Sequence, residues 1–106
     1  MPRSHPRSDV YRAISHGTRR AILDRLRAGP ARAGDLAAGF AETRPAISKH
    51  LRVLRQSGVV REERLGRERF YSLEPGPLHE VAGWVEGYRA FWHSSLARLK
   101  RHLEVK

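Results

Sequence analysis

Five side chains, Arg44, Ser48, Lys49, Arg52 and Gln56, follow one another at intervals of four, one, three and four residues. On an α-helix those intervals gather them toward one side. All five carry hydrogen-bond donors, and three are cations. In the major groove Arg can bond O6 and N7 of guanine, and Gln can bond N6 and N7 of adenine. The chemistry on offer is thus non-covalent reading of base edges and phosphates. Catalysis has little to stand on: no nucleophile has a base at a recognisable spacing, no glycine-rich phosphate loop occurs, and the carboxylates are scattered. We therefore expect no enzyme and no cofactor.

The helix that must carry these residues has its limits written beside it. Thr43 can accept a backbone hydrogen bond as N-cap, Arg44 and Pro45 suit a first turn, and Gly58 supplies a stop after Gln56. Ile47, His50, Leu51 and Leu54 fall at i, i+3, i+4 and i+7, so the opposite face is built to pack. His50 lies by its helical angle with Ile47 and Leu54, which predicts a packed, hydrogen-bonded histidine rather than a reader.

Composition agrees with a polyanionic partner. The 106 residues carry a formal net charge of +10, a balance that favours nucleic acid first and an anionic membrane surface second. Residues 44–69 hold eight Arg or Lys against three Glu, so the excess sits around the candidate helix. The length suits one domain. No stretch approaches the roughly twenty apolar residues of a membrane span, and the start, Met1 to Ser8, lacks the apolar core of a secretory signal. A cytoplasmic protein without membrane association is expected. There is no cysteine, which removes disulfides, thiolate ligands and cysteine nucleophiles together.

The remaining elements can be placed in order. Residues 1–8, with two Pro and two Arg, are expected to form a flexible basic arm ahead of a single domain over 9–106. Ser8 or Asp9 caps a short helix over Val10 to Ile14, His16-Gly17 interrupts it, and Thr18 to Leu26 makes a second helix ended by Gly29-Pro30. A third helix from Arg32 to Phe40 runs almost directly into Thr43, which makes a helix-turn-helix. Two strand-like runs, Val59–Leu65 and Glu68–Leu73, flank Gly66-Arg67. This hairpin directly after a helix-turn-helix is the wing of a winged-helix domain. Arg64, Arg67 and Arg69 cluster at its tip, where they can meet phosphate or the minor groove. The expected fold is mainly α with a small β-hairpin: a winged helix-turn-helix of four helices, the wing and a final helix.

Glu74-Pro75-Gly76-Pro77 precedes that final helix, which from Leu78 could run about twenty-five residues, near 37 Å at 1.5 Å per residue. Val81, Val85, Tyr88, Trp92, Leu96, Leu99 and Leu103 keep spacings of three and four, and Trp84 and Phe91 widen the stripe. A small winged-helix core cannot cover so much apolar surface, which points to a second copy of the chain.

Four blocks together resemble bacterial ArsR/SmtB transcriptional repressors: Ile14-Ser15-His16-Gly17-Thr18-Arg19-Arg20-Ala21-Ile22-Leu23, Ala33-Gly34-Asp35-Leu36-Ala37, Arg44-Pro45-Ala46-Ile47-Ser48-Lys49-His50-Leu51 and Gly58-Val59-Val60. The likeness spans Val10 to Leu103. The segment Trp84 to Trp92 is similar to a subgroup whose members often carry no known metal site. The resemblance implies a homodimer formed through the first and last helices, binding a near-palindromic operator that overlaps a promoter, its own among the candidates. Matching positions make Arg44, Ser48, Lys49 and Arg52 the residues that face double-stranded DNA. Dimer contacts would come from Val10, Tyr11 and Ile14 in the first helix, and from Val81, Trp84, Val85, Tyr88, Phe91, Trp92, Leu96 and Leu99 in the last.

The chain departs from the family's metal sensors. A cysteine pair in their third helix has no counterpart around Asp35-Leu36, and the Asp/His and His/Glu pattern of their last helix is not reproduced by His79, His93 and His102. No metal is expected, and nothing in the sequence names an inducer. The competing reading is a winged-helix interaction module that uses its aromatic last helix without reading DNA sequence. RNA binding is disfavoured, because the aromatics lie in a helical stripe rather than on a stacking platform.

Overall fold

The computed structural model describes residues 6–104, with side chains described from Asp9 onward. Five helices and three strands follow in chain order: α1 (Pro6–Ala13), α2 (Gly17–Leu26), β1 (Ala31–Arg32), α3 (Ala33–Ala38), α4 (Arg44–Gln56), β2 (Val60–Leu65), β3 (Glu68–Leu73) and α5 (Gly76–Glu104). The architecture is the mainly helical winged helix-turn-helix anticipated above. Helix α1 begins at Pro6, earlier than the Ser8 or Asp9 cap expected, so residues 6–8 of the proposed arm are helical. Residues 1–5 of that arm lie outside the described residues.

The core is where the amphipathic faces of α1 to α4 meet the sheet. Ile22, Leu54 and Val59 are wholly enclosed, and Val10, Leu36 and Ile47 nearly so. Helix α4 buries Ile47, Leu51 and Leu54, the face its spacing predicts. Thr43 Oγ1 accepts from the Ala46 amide at 3.3 Å, which satisfies one donor of the first turn. Beyond the Ser57 C-cap, Gly58 takes φ +84° and its amide donates to the Arg55 carbonyl at 3.0 Å. That left-handed conformation suits glycine and turns the chain into β2.

The sheet has the order β1-β3-β2, both pairings antiparallel. Within the hairpin Val60 faces Leu73 and Leu65 faces Glu68, which leaves Gly66-Arg67 as a two-residue loop. Of these two loop residues only Gly66 has positive φ, at +65°, the requirement of a type II′ turn. Strand β1 is an addition that the sequence pattern does not announce. Its two residues pair with Tyr71 and Phe70 and fasten the base of the wing to the entrance of α3.

Helix α5 runs for 29 residues, somewhat longer than expected, and none of them is buried. Its first turns, through Leu78 and Val81, pack on the core. Beyond them Trp84, Tyr88, Phe91, Trp92, Leu96, Leu99 and Leu103 are exposed by 45–69%. No described helix is long and apolar enough to cross a membrane.

Candidate nucleic-acid interface

Helix α4 holds its inward face in the core, so its outward face is set by the same rotation. Arg44, Ser48, Lys49, Arg52 and Gln56 are all exposed. A cleft of about 490 Å³ opens between α3, the first turns of α4 and the wing, bordered by Arg44, Ser48, Arg67 and Arg69. Buried Ile47, Leu51 and Tyr71 line it beneath these polar groups. Ser48 also borders the adjoining groove with Lys49 and Arg52. Six of the eight proposed reader residues thus form one continuous surface.

The other two stand apart. Gln56 lies at the far end of α4, in a recess shared with Asp9 and Arg12 of α1. Arg64 is exposed and sits across the hairpin from Arg69, but borders neither groove. Arg69 is not free: its Nε forms an ion pair with Glu62 Oε2 at 3.3 Å. The other Glu62 oxygen accepts from Arg55 of α4, and the Tyr71 hydroxyl reaches Oε2 at 3.5 Å. One carboxylate therefore ties the wing to α4.

A second polar network holds the start of α4, and sequence spacing gave no warning of most of it. The Thr18 hydroxyl donates to Glu42, whose other oxygen meets His50 Nε2 at 3.1 Å. Arg19 Nη1 lies 3.2 Å from His50 Nδ1, and its Nε donates to the Ala13 carbonyl at 2.8 Å. Because an Arg can only donate, His50 Nδ1 accepts and Nε2 carries the proton to Glu42. The His16 ring packs at a 48° tilt against His50, with ring centres 4.5 Å apart, and caps α2 by accepting from the Thr18 amide. His50 is thus a packed, hydrogen-bonded residue that positions the helix. The Thr18 hydrogen bond, and less strongly the His50 contact, hold the Glu42 carboxyl below its ordinary range against partial burial. Burial and the neighbouring Arg12 charge lower Arg19.

Arg32 is a further residue not singled out by the spacing argument. Its Nε donates to Asp35 Oδ2 at 3.2 Å and its Nη1 to Glu68 Oε2 at 2.9 Å, joining β1, α3 and β3 at the cleft. Those two carboxylates raise its pKa, Asp35 first. The Asp35 pair was readable from its i, i+3 spacing; Glu68, 36 residues away, was not.

The residues proposed for dimerisation divide in two. Val10 is 1% exposed inside the protomer's own core, and Ile14 and Val81, half-buried, pack against that core. Tyr11, Trp84, Tyr88 and Trp92 instead form an outward aromatic ladder, with ring centres 5.8, 5.3 and 6.5 Å apart in succession. Phe91, Leu96 and Leu99 continue the exposed stripe, and Val85 is half-buried beside it. His79, His93 and His102 are exposed, and the described residues contain no group of three or more His, Asp or Glu fit to hold a metal ion.

Comparison with known proteins agrees with this geometry. A profile described as a helix-turn-helix domain matches residues 14–63. The chain is 41% identical over 78 residues to the transcriptional repressor SdpR of Bacillus subtilis, covering 74% of this chain and 87% of SdpR. It is 43% identical over 69 residues to the regulator Rv2034 of Mycobacterium tuberculosis, covering 65% of this chain and 64% of that protein. Among solved structures, one of an ArsR family transcriptional regulator superposes with a TM-score of 0.75 at 32% identity, covering 84% of this chain and 98% of the other. An ArsR-like regulator from Rhodococcus sp. RHA1 gives 0.70 at 33% identity, with 95% of each chain covered. Carrying this similarity over nearly the whole length of several relatives, the chain belongs to the ArsR/SmtB family of non-catalytic, DNA-binding winged helix-turn-helix transcriptional regulators.

Proposed function

We propose that the protein is a repressor that binds, as a homodimer, a near-palindromic operator overlapping a promoter. The observation that carries this reading is the joining of Arg44, Ser48, Arg67 and Arg69 around one cleft, with Lys49 and Arg52 in the groove beside it. A base-reading helix and a basic wing on one surface can follow a major groove and its flanking phosphates together. Arg44, Ser48, Lys49 and Arg52 are assigned to the major groove, with Gln56 at its margin. Arg64, Arg67 and Arg69 are assigned to the backbone or the minor groove.

Two copies pair through α1 and α5 in this proposal, the aromatic ladder and the stripe beyond it covering their counterparts. Exposed aromatics in a continuous row support that arrangement, since a monomer would leave them in water. Pairing would set the two α4 helices one helical turn of DNA apart, about 34–36 Å, and a two-fold protein then requires a two-fold site. Footprinting of the DNA immediately upstream of the gene tests the proposal. Protection of an inverted repeat with that half-site spacing is expected; only weak binding, indifferent to sequence, would favour an interaction module instead.

A further inference from the structure

Four arginines, Arg32, Arg44, Arg67 and Arg69, border the cleft between α3, α4 and the wing, together with two carboxylates, Asp35 and Glu68. Their pairing is uneven. Arg32 takes both carboxylates, and Glu62 takes the Nε of Arg69. Arg44 and Arg67 have no acidic partner among the described residues. The Arg44 guanidinium lies across α3 at Gly34, 3.6 Å from where a Cβ would stand, so the smallest residue faces it. Ser48 adds a hydroxyl on the same border. The cleft therefore presents donors without a matching anion.

Resting on the DNA-binding reading above, we propose that this cleft seats one phosphodiester at the edge of the major groove, with Arg44, Arg67 and Ser48 as its ligands, which leaves base reading to Lys49 and Arg52. Arg32 is a positioning residue: it does not touch the phosphate but occupies Asp35 and Glu68, which would otherwise oppose an incoming anion. Two carboxylates at the rim of a site of about 490 Å³ stand within a Debye length of its centre, about 10 Å at 0.1 M salt, so their neutralisation governs entry. A duplex is the occupant that the surroundings favour, because the cleft is continuous through Ser48 with the groove bordered by Lys49 and Arg52.

The test compares operator binding of full-length variants by fluorescence anisotropy at several salt concentrations. Arg32→Ala is expected to weaken binding on the order of tenfold at 0.1 M salt, by leaving two carboxylates facing a phosphate. Adding Asp35→Asn and Glu68→Gln to that variant is expected to restore affinity. Adding Asp24→Asn and Glu86→Gln, which gives the same net charge far from the cleft, is not. Failure of the cleft neutralisation to restore binding would show Arg32 to be a direct contact or a structural stitch and would overturn the assignment. Equal restoration by both pairs would reduce the effect to whole-molecule charge and overturn it as well. A methylphosphonate scan of the operator backbone gives the second measurement. One position per half-site should cost wild type affinity and cost Arg44→Ala/Arg67→Ala nothing more; the absence of such a position removes the seat. A wild-type protein that fails to prefer its operator would instead defeat the functional reading itself, and inorganic phosphate displacing nothing at matched ionic strength identifies the duplex as the occupant. Displacement of the duplex by millimolar inorganic phosphate under those conditions would make the cleft a free-anion site and overturn the proposal.

Discussion

Arg52 and Arg67 separate the two ways in which a side chain can serve DNA binding. Arg52 stands on the outward face of α4, and reading a base there would make Arg52→Ala weaken operator binding by about 1–3 kcal/mol while relaxing the preference at one position. Unchanged operator affinity would remove Arg52 from the reading face. Arg67 sits in the hairpin loop, so Arg67→Ala should weaken all sequences alike and lower the salt slope by about 0.9 for each phosphate that Arg67 neutralises. A weakening confined to the operator would contradict that role. Glu42 acts at the same scale but on stability. Its folded pKa is lowered by Thr18 first and His50 less, so its contribution is present above the ordinary carboxylate range and disappears as pH falls through the folded value. Thermal melts should therefore show Glu42→Gln less stable than wild type at pH 7, with the gap closing below about pH 4. A gap that persisted into acid would mean that shape, not charge, is what Glu42 supplies.

The joint between α4 and β2 is the element on which the reader's aim depends. Gly58 at φ +84° ends α4, and Val59, wholly buried, anchors the next residue to the core. An L side chain is strained there, so Gly58→Ala should lower stability by about 1–2 kcal/mol in urea unfolding. The added Cβ would meet Pro77 at 3.6 Å, an ordinary contact, so strain rather than collision is the cause. Full stability in that variant would place the constraint elsewhere. The hairpin was legible because two alternating runs flank Gly66-Arg67. Strand β1 was not, because two residues, Ala31-Arg32, are too few to show a period. Their partners, Tyr71 and Phe70, are supplied by tertiary packing across some forty positions of chain.

On the scale of the whole molecule the decisive feature is how much of α5 the protomer leaves uncovered. Trp92 is 50% exposed and Leu96 61%, and neither belongs to the core or to the hydrophobic residues packed against it. A buried interface there tolerates no charge without a partner, so Trp92→Glu is expected to yield monomers by analytical ultracentrifugation. Helix content should stay unchanged by circular dichroism, and operator affinity should collapse, since each half-site alone gives weak binding. A dimeric Trp92→Glu protein that binds its operator normally would move the interface off this stripe. The charge of +10 has its own signature at this scale: association should be fast and fall steeply with ionic strength.

Local rules acting on residues close in the chain settled most of the architecture. Thr43 as cap, Pro45 in the first turn, the period of Ile47, Leu51 and Leu54, and Gly58 as stop define α4 because each acts within a few residues of the next. The outward face of α4 and its members followed from the same period. What distance in sequence concealed was pairing: Glu62 shared between Arg55 and Arg69, Arg32 between Asp35 and Glu68, and Thr18 and Arg19 reaching Glu42 and His50. Charged side chains carry no periodic constraint, and many partners of either sign are available to each. Only the fold chooses among them, and that choice decides which arginines are occupied and which remain open to DNA.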